Sequence, residues 1–416
     1  MGGVVGIFVT DGQNNWESSI IRGALAFHGI PSEVRSLSDI NKVNDDGPCV
    51  LMAPSQQYRL DVSSLRPRKH AVILAGHYIT LQYLHEAQPL SSNAILIYGE
   101  PYATIPDLIL NDRFFEESRG SALLGRLYDP REYTAPPWAL RATSRLLMTS
   151  VGCVRRCGYC TYGSMNSQLY PQKFTRRSRP WQGMRAELLA CMERGIDCIQ
   201  MTASQFLSEK PEENVELSLL AANWKPETDG RPLVAFTVSP IEVLKNRRIL
   251  EDMSRSFRLY PTLSIDSFDN DTLALFDRDY TATAAIDALR ILTGLRLSLK
   301  VNYIFIRPRA DVNRVKGELE YFKILAAETS YLSSYDRLLL AYDSFSKSLL
   351  VTRGAPIAGI KGIQQNYESV LPGELLRLVS TIQDSLKAQI DRFDPEKSDD
   401  PLMSLIKVIE EEVSRA

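Results

Sequence analysis

The chain has 416 residues, 44% hydrophobic and 24% charged, the make-up of an ordinary globular protein with room for two or three domains. A formal net charge of −2 argues against nucleic-acid binding by bulk charge, and no apolar run reaches the roughly 18 residues that a membrane helix needs. The opening "MGGVVGIFVTDGQ" has no basic segment and no small-residue cleavage site, and "MGGVVG" has no Ser or Thr for myristoylation, so a cytoplasmic location is expected.

In chain order, "VVGIFVT" (Val4–Thr10) reads as a buried strand, and "WESSIIRGALAFHG" has helical spacing with a glycine stop. "PCVLMAP", "HAVILAG" and "NAILIYG" are further strands, each ended by Pro or Gly. Strands alternating with helical stretches predict a parallel sheet, so residues 1–130 are expected to form a Rossmann-like domain. The Pro-rich "LYDPREYTAPPWALRATS" predicts a linker, placed at 131–144.

A second alternation follows. "RLLMTSVG" is a strand, "WQGMRAELLACMERG" a helix stopped by Gly195, and "DCIQMTAS" the next strand. "PLVAFTVSP", "YPTLSIDS", "LSLKVNYIFIRP" and "DRLLLAYDS" continue the series. About six strand–helix units over 145–345 predict a partial (β/α)6 barrel of the TIM type. Residues 346–416 are expected to be helical, on the strength of "PGELLRLVSTIQDSLKAQIDRF" and "DPLMSLIKVIEEEVSRA". The fold class is therefore α/β with a helical C-terminal region.

Six cysteines are too few and too uneven for a disulfide framework. Three of them, Cys153, Cys157 and Cys160, fall within "TSVGCVRRCGYCTYGS", where the first strand of the second alternation ends. Closely spaced thiolates suit a soft metal or an iron–sulfur cluster. A zinc site usually pairs two Cys-x-x-Cys or Cys/His units, and no second pair exists; Cys191 and Cys198 read as core residues. A ferredoxin-type cubane wants four cysteines, so three would leave one iron open. All four histidines, His28, His70, His77 and His85, precede this cluster, so acid–base work in the barrel falls to Asp, Glu, Lys, Tyr or Arg.

Cys-x-x-x-Cys-x-x-Cys at a strand end, with Tyr159 before the third cysteine, resembles the radical S-adenosylmethionine superfamily. The resemblance implies that Cys153, Cys157 and Cys160 bind a [4Fe–4S] cluster whose fourth iron takes S-adenosylmethionine, yielding a 5′-deoxyadenosyl radical. It places Tyr159 near the adenine. It places Thr202 and Ser204 of "CIQMTAS" where the methionine amino group binds, although the usual Gly-Gly-Glu is absent. Asp266 and Ser267 of "LSIDSFDNDTLALF" then lie near the ribose, with Phe268 narrowing the pocket, and Ile304 and Ile306 of "NYIFIRP" beside the adenine. The short basic runs "RRSRP" and "VRRC" read as solvated faces.

The N-terminal region resembles the cobalamin-binding-like domain of one branch of that superfamily. "AGHYIT" (Ala75–Thr80) stands at its Gly-Gly-x-His-like turn, and "YGEPYATIPDL" matches its Gly-Glu-x-x-x-Thr-x-x-x-Leu ending. The Asp-x-His-x-x-Gly signature is missing. Asp11 stands at the Asp, Gln13 at the His and Trp16 at the Gly, while His77 reads as a turn residue. The domain is expected to be vestigial, so cobalamin is admitted but not favoured.

The expected substrate is a small polar metabolite, such as an amino sugar in natural-product biosynthesis, with no nucleic acid and no membrane as partner. Asp266, Tyr303, Tyr342 and Asp343 are the candidate catalytic groups at the later strand ends, alongside Asp269. An external flavodoxin- or ferredoxin-like one-electron reductase is implied. Two enzyme readings stand close together: a cobalamin-independent radical dehydration, and a cobalamin-dependent C-methylation. A non-enzymatic iron–sulfur or zinc sensor or scaffold is the reading from a different class.

Overall fold

The computed structural model describes residues 4–9, 16–36, 48–52, 72–76, 90, 92–134, 145–157, 160–225, 230–304, 311–345, 356–357, 360–361, 373–392 and 400–415. Two parallel sheets organise them. The first has the strands β1 (Val5–Val9), β2 (Ser32–Ser36), β3 (Cys49–Met52), β4 (Val72–Ala75), β5 (Ala94–Tyr98) and β6 (Ala122–Leu124), ordered β2-β1-β3-β4-β5-β6. β1, β3, β4 and β5 are the apolar runs legible in the sequence, and they are buried on both faces as parallel strands require. The edge strands β2 ("SEVRS") and β6 ("ALL") escaped a sequence reading, because an edge strand is polar or short and shows no continuous apolar run.

The helix Trp16–Phe27 follows β1 and buries Ile20, Ile21, Ala24 and Leu25 on one face. It stops at Gly29, whose φ of 70° is the left-handed conformation that glycine adopts freely.

The second sheet holds β7 (Arg145–Met148), β10 (Cys198–Thr202), β11 (Leu233–Val238), β12 (Arg258–Asp266) and β13 (Lys300–Tyr303), side by side in chain order and all parallel. Between β7 and β10 lies a small antiparallel pair, β8 (Ser150–Val151) with β9 (Arg177–Ser178). Helices between successive strands complete the partial barrel expected from the alternation.

One expected strand is overturned. "DRLLLAYDS" belongs to the helix Ser334–Phe345, so the sheet has five strands among the described residues. The local reason is a helix start: Ser333 Oγ accepts from Asp336 N at 3.1 Å and donates to the Asp336 carboxylate at 2.7 Å. A Ser cap with an acid three residues on overrides the apolar run that resembled a strand.

The C-terminal helices Gly373–Asp391 and Pro401–Arg415 pack into the same core as the barrel, through Leu375, Leu378, Ile382, Leu402, Leu405 and Ile409. A two-residue antiparallel pair, Pro356–Ile357 with Ile360–Lys361, precedes these helices in the chain. The two sheets also share packing. Met148 and Val151, where the barrel's first strand ends, belong to the core of the first sheet.

Candidate active site

The cysteine loop leaves the barrel between its first two strands. Thr149 N donates to Thr202 O at 3.2 Å, which brings the ends of β7 and β10 level. The chain turns out at Gly152, with φ of 84°, where a Cβ would stand 1.9 Å from the Thr175 carbonyl oxygen. Cys153 and Cys157 are buried and Cys160 is half-buried. The helix Thr161–Leu169 begins directly after Cys160, whose N–H donates to the Cys157 carbonyl at 2.9 Å. Gly163 lets this helix approach the loop, since a Cβ there would meet Arg155 O at 2.6 Å and Cys153 Sγ at 3.9 Å.

The loop is pinned from the β10 side. Val154 N donates to Gln205 Oε1 at 3.3 Å, and the Arg155 guanidinium reaches Glu209 at 3.1 Å and Glu242 at 3.8 Å. Arg176 gives its guanidinium to the Gln205 and Phe206 carbonyls, and Arg179 pairs with Glu187 at 2.6 Å. The expectation of solvated basic runs therefore fails for these residues. Arg176 and Arg179 are buried, and they satisfy carbonyls and a carboxylate around the loop.

Burial pushes the Cys153 thiol up to about 12, with Cys160 adding to the effect. Burial likewise pushes Cys157 up to about 11, opposed by Arg278 and reinforced by Cys160. Cys153 and Cys157 thus lie in a space that disfavours their anions unless a cationic centre binds them. Among the described residues no three His, Cys, Asp or Glu side chains converge on a single-ion position. Three cysteines on one loop supply the soft ligands of an iron–sulfur cluster and leave one iron open, so the donor set fits a [4Fe–4S] group. Cys191 is buried in its helix as expected, whereas Cys198 is exposed at the start of β10 and is no core residue.

Arg278 joins the loop to the end of β12. Its Nη1 donates to Cys157 Sγ at 3.0 Å and its Nε to Asp266 Oδ2 at 2.5 Å. Tyr280 also donates to Asp266 Oδ2, at 3.0 Å, and to the Ile265 carbonyl at 2.7 Å. Asp266 is buried, has φ of 65°, and sits where the β12–β13 register shifts. Such an irregularity re-aims a side chain at a strand end. Ile304 N donates to the Asp266 carbonyl at 2.8 Å, tying the two expected cofactor positions together.

The neighbouring candidates turn to a different partner. Buried Glu318, in the helix Val312–Glu328, accepts from the Tyr303 hydroxyl, from Phe268 N at 3.1 Å and from Ser267 Oγ at 3.5 Å. Phe268, expected to narrow the cofactor pocket, joins an aromatic cluster. It is buried, stacked on Tyr303 and Tyr321 and edge-on to Phe322. Thr202 is buried at its strand end, and Ser204 lies beside the Tyr162 hydroxyl. Asp269 accepts from Thr272 N and is paired with Arg314 at 2.5 Å, a capping role.

A second polar centre backs the cysteine helix. Glu100, fully buried after β5, receives Arg177 Nη2 on both oxygens at 2.6 Å, Tyr128 N at 3.0 Å and the Tyr162 hydroxyl at 3.2 Å. Its own N–H donates to the Tyr170 hydroxyl at 2.9 Å, which donates in turn to Gly125 O at 2.5 Å. Gly99, with φ of 85°, admits Tyr170, since a Cβ there would stand 2.2 Å from the hydroxyl oxygen. Burial and Glu100 push the Tyr162 hydroxyl well above its ordinary range.

Tyr159, Ile306, Asp11, Gln13 and His77 lie outside the described residues, as do the side chains of Trp16, Tyr342 and Asp343. The backbone places Tyr342 and Asp343 on the helix Ser334–Phe345 instead of a strand end. Sequence reasoning missed Arg278, Glu318, Arg177 and the role of Glu100. A signal for Arg278 was present in "FDRDY", the first arginine after the β12 acid in a barrel without histidine.

The family model described as "Radical SAM superfamily" matches residues 147–314, from the first barrel strand into the helix that carries Glu318. No curated protein matches the chain. Among solved structures, the chain is similar to the cobalamin-dependent S-adenosylmethionine radical enzyme OxsB with aqua-cobalamin and S-adenosylmethionine bound. That likeness has 11% identity and a TM-score of 0.62, over 99% of this chain and 80% of that one. The chain is also similar to the radical S-adenosylmethionine methyltransferase TsrM from Kitasatospora setae, with 13% identity and a TM-score of 0.56, over 77% of this chain and 71% of that one. At these identities the likeness to both is one of fold. Residues 147–314 are thus a radical SAM domain, of the superfamily whose members work with a [4Fe–4S] cluster and S-adenosylmethionine.

Proposed function

We propose that this protein abstracts a hydrogen atom from a small polar metabolite, such as an amino sugar, and directs the substrate radical to loss of water. A cluster on Cys153, Cys157 and Cys160 would supply one electron, taken from an external flavodoxin- or ferredoxin-like donor, to cleave S-adenosylmethionine to a 5′-deoxyadenosyl radical. The chain's own part is to orient and enclose. Asp266 is assigned to the cofactor ribose, Thr202 and Ser204 to its methionine end, and Ile304 to the adenine side. Tyr303 and Ser267, both held by Glu318, shape the adjoining strand ends. Tyr342 and Asp343 are retained as candidates for the substrate side.

The observation that supports the reading without cobalamin is the side-chain packing just after β5, where Tyr170 and Tyr162 hydrogen-bond with buried Glu100. The fold likeness to OxsB and TsrM supports the second reading, a cobalamin-dependent C-methylation.

The experiment is anaerobic reconstitution with iron and sulfide, reduction, and product analysis with S-adenosylmethionine. 5′-Deoxyadenosine without corrinoid absorbance and without S-adenosylhomocysteine is the expected result. Bound corrinoid with both products establishes the methylase instead. An intact cluster that yields no 5′-deoxyadenosine returns the protein to the sensor or scaffold class.

A further inference from the structure

We infer that Arg278 tunes the reduction potential of the cluster, and that Asp266 sets how strongly it does so; the inference rests on the iron–sulfur reading of the three cysteines. Arg278 is the one cation seen donating to a cluster-loop thiol among the described residues, with Nη1 at 3.0 Å from Cys157 Sγ. Its side chain is 5% exposed and that of Asp266 4%, so solvent screens neither. Nε and Nη2 both face Asp266, which fixes the plane of the guanidinium. Tyr280 holds Asp266 from another side, and its ring lies 5.7 Å from the Arg278 guanidinium carbon.

In the loaded protein Cys157 Sγ is an iron-bound thiolate. Reduction adds one negative charge to a group that already carries net negative charge from three thiolates. A cation bonded to a ligand sulfur in a dry site stabilises that added charge and raises the potential. Asp266 opposes it by neutralising part of the guanidinium charge. Arg278 is therefore a positioning and tuning residue that acts through Cys157. The two residues predict shifts of opposite sign, which a loss of packing would not produce.

The test is a redox titration of the reconstituted protein without S-adenosylmethionine, followed by the paramagnetic signal of the reduced cluster, with iron content measured on each sample. Arg278→Gln should lower the midpoint by at least a tenfold shift in the reduction equilibrium, about 59 mV for a one-electron couple. Arg278→Lys, which keeps the charge, should recover part of that loss. Asp266→Asn should raise the midpoint. If Arg278→Gln does not fold, the Asp266→Asn and Arg278→Lys samples decide alone through the sign of their shifts. Unchanged midpoints at full iron content overturn the tuning role, as does a fall in both the Gln and the Asn variants. Wild-type protein that takes up no iron overturns the cluster reading itself, a result distinct from either.

Discussion

Glu100 and Arg177 form a bidentate ion pair between the end of β5 and β9, with one guanidinium nitrogen 2.6 Å from each carboxylate oxygen. Replacing Glu100 with Ala leaves the half-buried Arg177 without its counter-charge and frees Tyr128 N and Tyr162. Only the Glu100 end of the pair is fully buried, so the cost should be about 3 kcal/mol or less, at the low end for breaking a buried pair. Glu100→Gln, which retains one acceptor oxygen, should cost less, and Tyr162→Phe about 1 kcal/mol as the loss of one hydrogen bond. Urea unfolding of the three variants gives the ranking. Equal stability of Glu100→Ala and wild type would remove the pair from any account of how the two sheets hold together.

Gly152 is constrained twice, by its φ of 84° and by the Thr175 carbonyl, which a Cβ would meet at 1.9 Å. Gly152→Ala should displace the cysteine loop and lower the iron taken up on reconstitution. Gly195 is the control. It also has positive φ, at 74°, but nothing lies within 4 Å of the Cβ position. Gly195→Ala should cost only about 1–2 kcal/mol and leave iron content unchanged. A Gly152→Ala protein with wild-type iron content would show that the loop tolerates the shift.

Cys153→Ala, Cys157→Ala and Cys160→Ala should each abolish cluster assembly and 5′-deoxyadenosine formation. Cys198→Ala, at an exposed strand start, should leave both intact. Iron and sulfide analysis with product chromatography reads this directly. Full activity in any of the first three would strike that cysteine from the ligand set.

The local part of the site was legible because its chemistry is encoded in eight adjacent residues. Cys153, Cys157 and Cys160 need no knowledge of the fold to be read as a ligand set. Arg278 meets Cys157 across 121 positions of chain, and Arg177 meets Glu100 across 77. Those contacts arise from the order of strands in the sheets, which no short motif carries. The central strands were legible from their apolar runs, while β2 and β6 were hidden by edge composition. The helix Ser334–Phe345 was misread for the opposite reason: three consecutive leucines outweighed the Ser333 and Asp336 signals that start it.

Asp400 performs two tasks at the start of the last helix. It accepts from Leu402 N at 3.0 Å and Met403 N at 3.3 Å, and it pairs with Arg337, which also donates to the Ala326 carbonyl at 2.9 Å. Asp400→Ala should lower stability by about 1–2 kcal/mol, the usual worth of a lost N-cap. Asp400→Asn, which can still cap, should lose less. Thermal unfolding followed by circular dichroism separates them, and an unchanged midpoint in Asp400→Ala would mean that this end of the helix needs no cap.

Charge alone would let Asp and Glu exchange at position 266. The backbone there does not, because a φ of 65° is a conformation that Asp and Asn enter far more readily than longer side chains do. Substituting Glu would strain the main chain and push the carboxylate a methylene too far into the grip of Arg278 and Tyr280. The short acid at this position is thus a matter of conformation as much as of chemistry. Asp266→Asn should therefore be a gentler change to the architecture than Asp266→Glu, despite the lost charge.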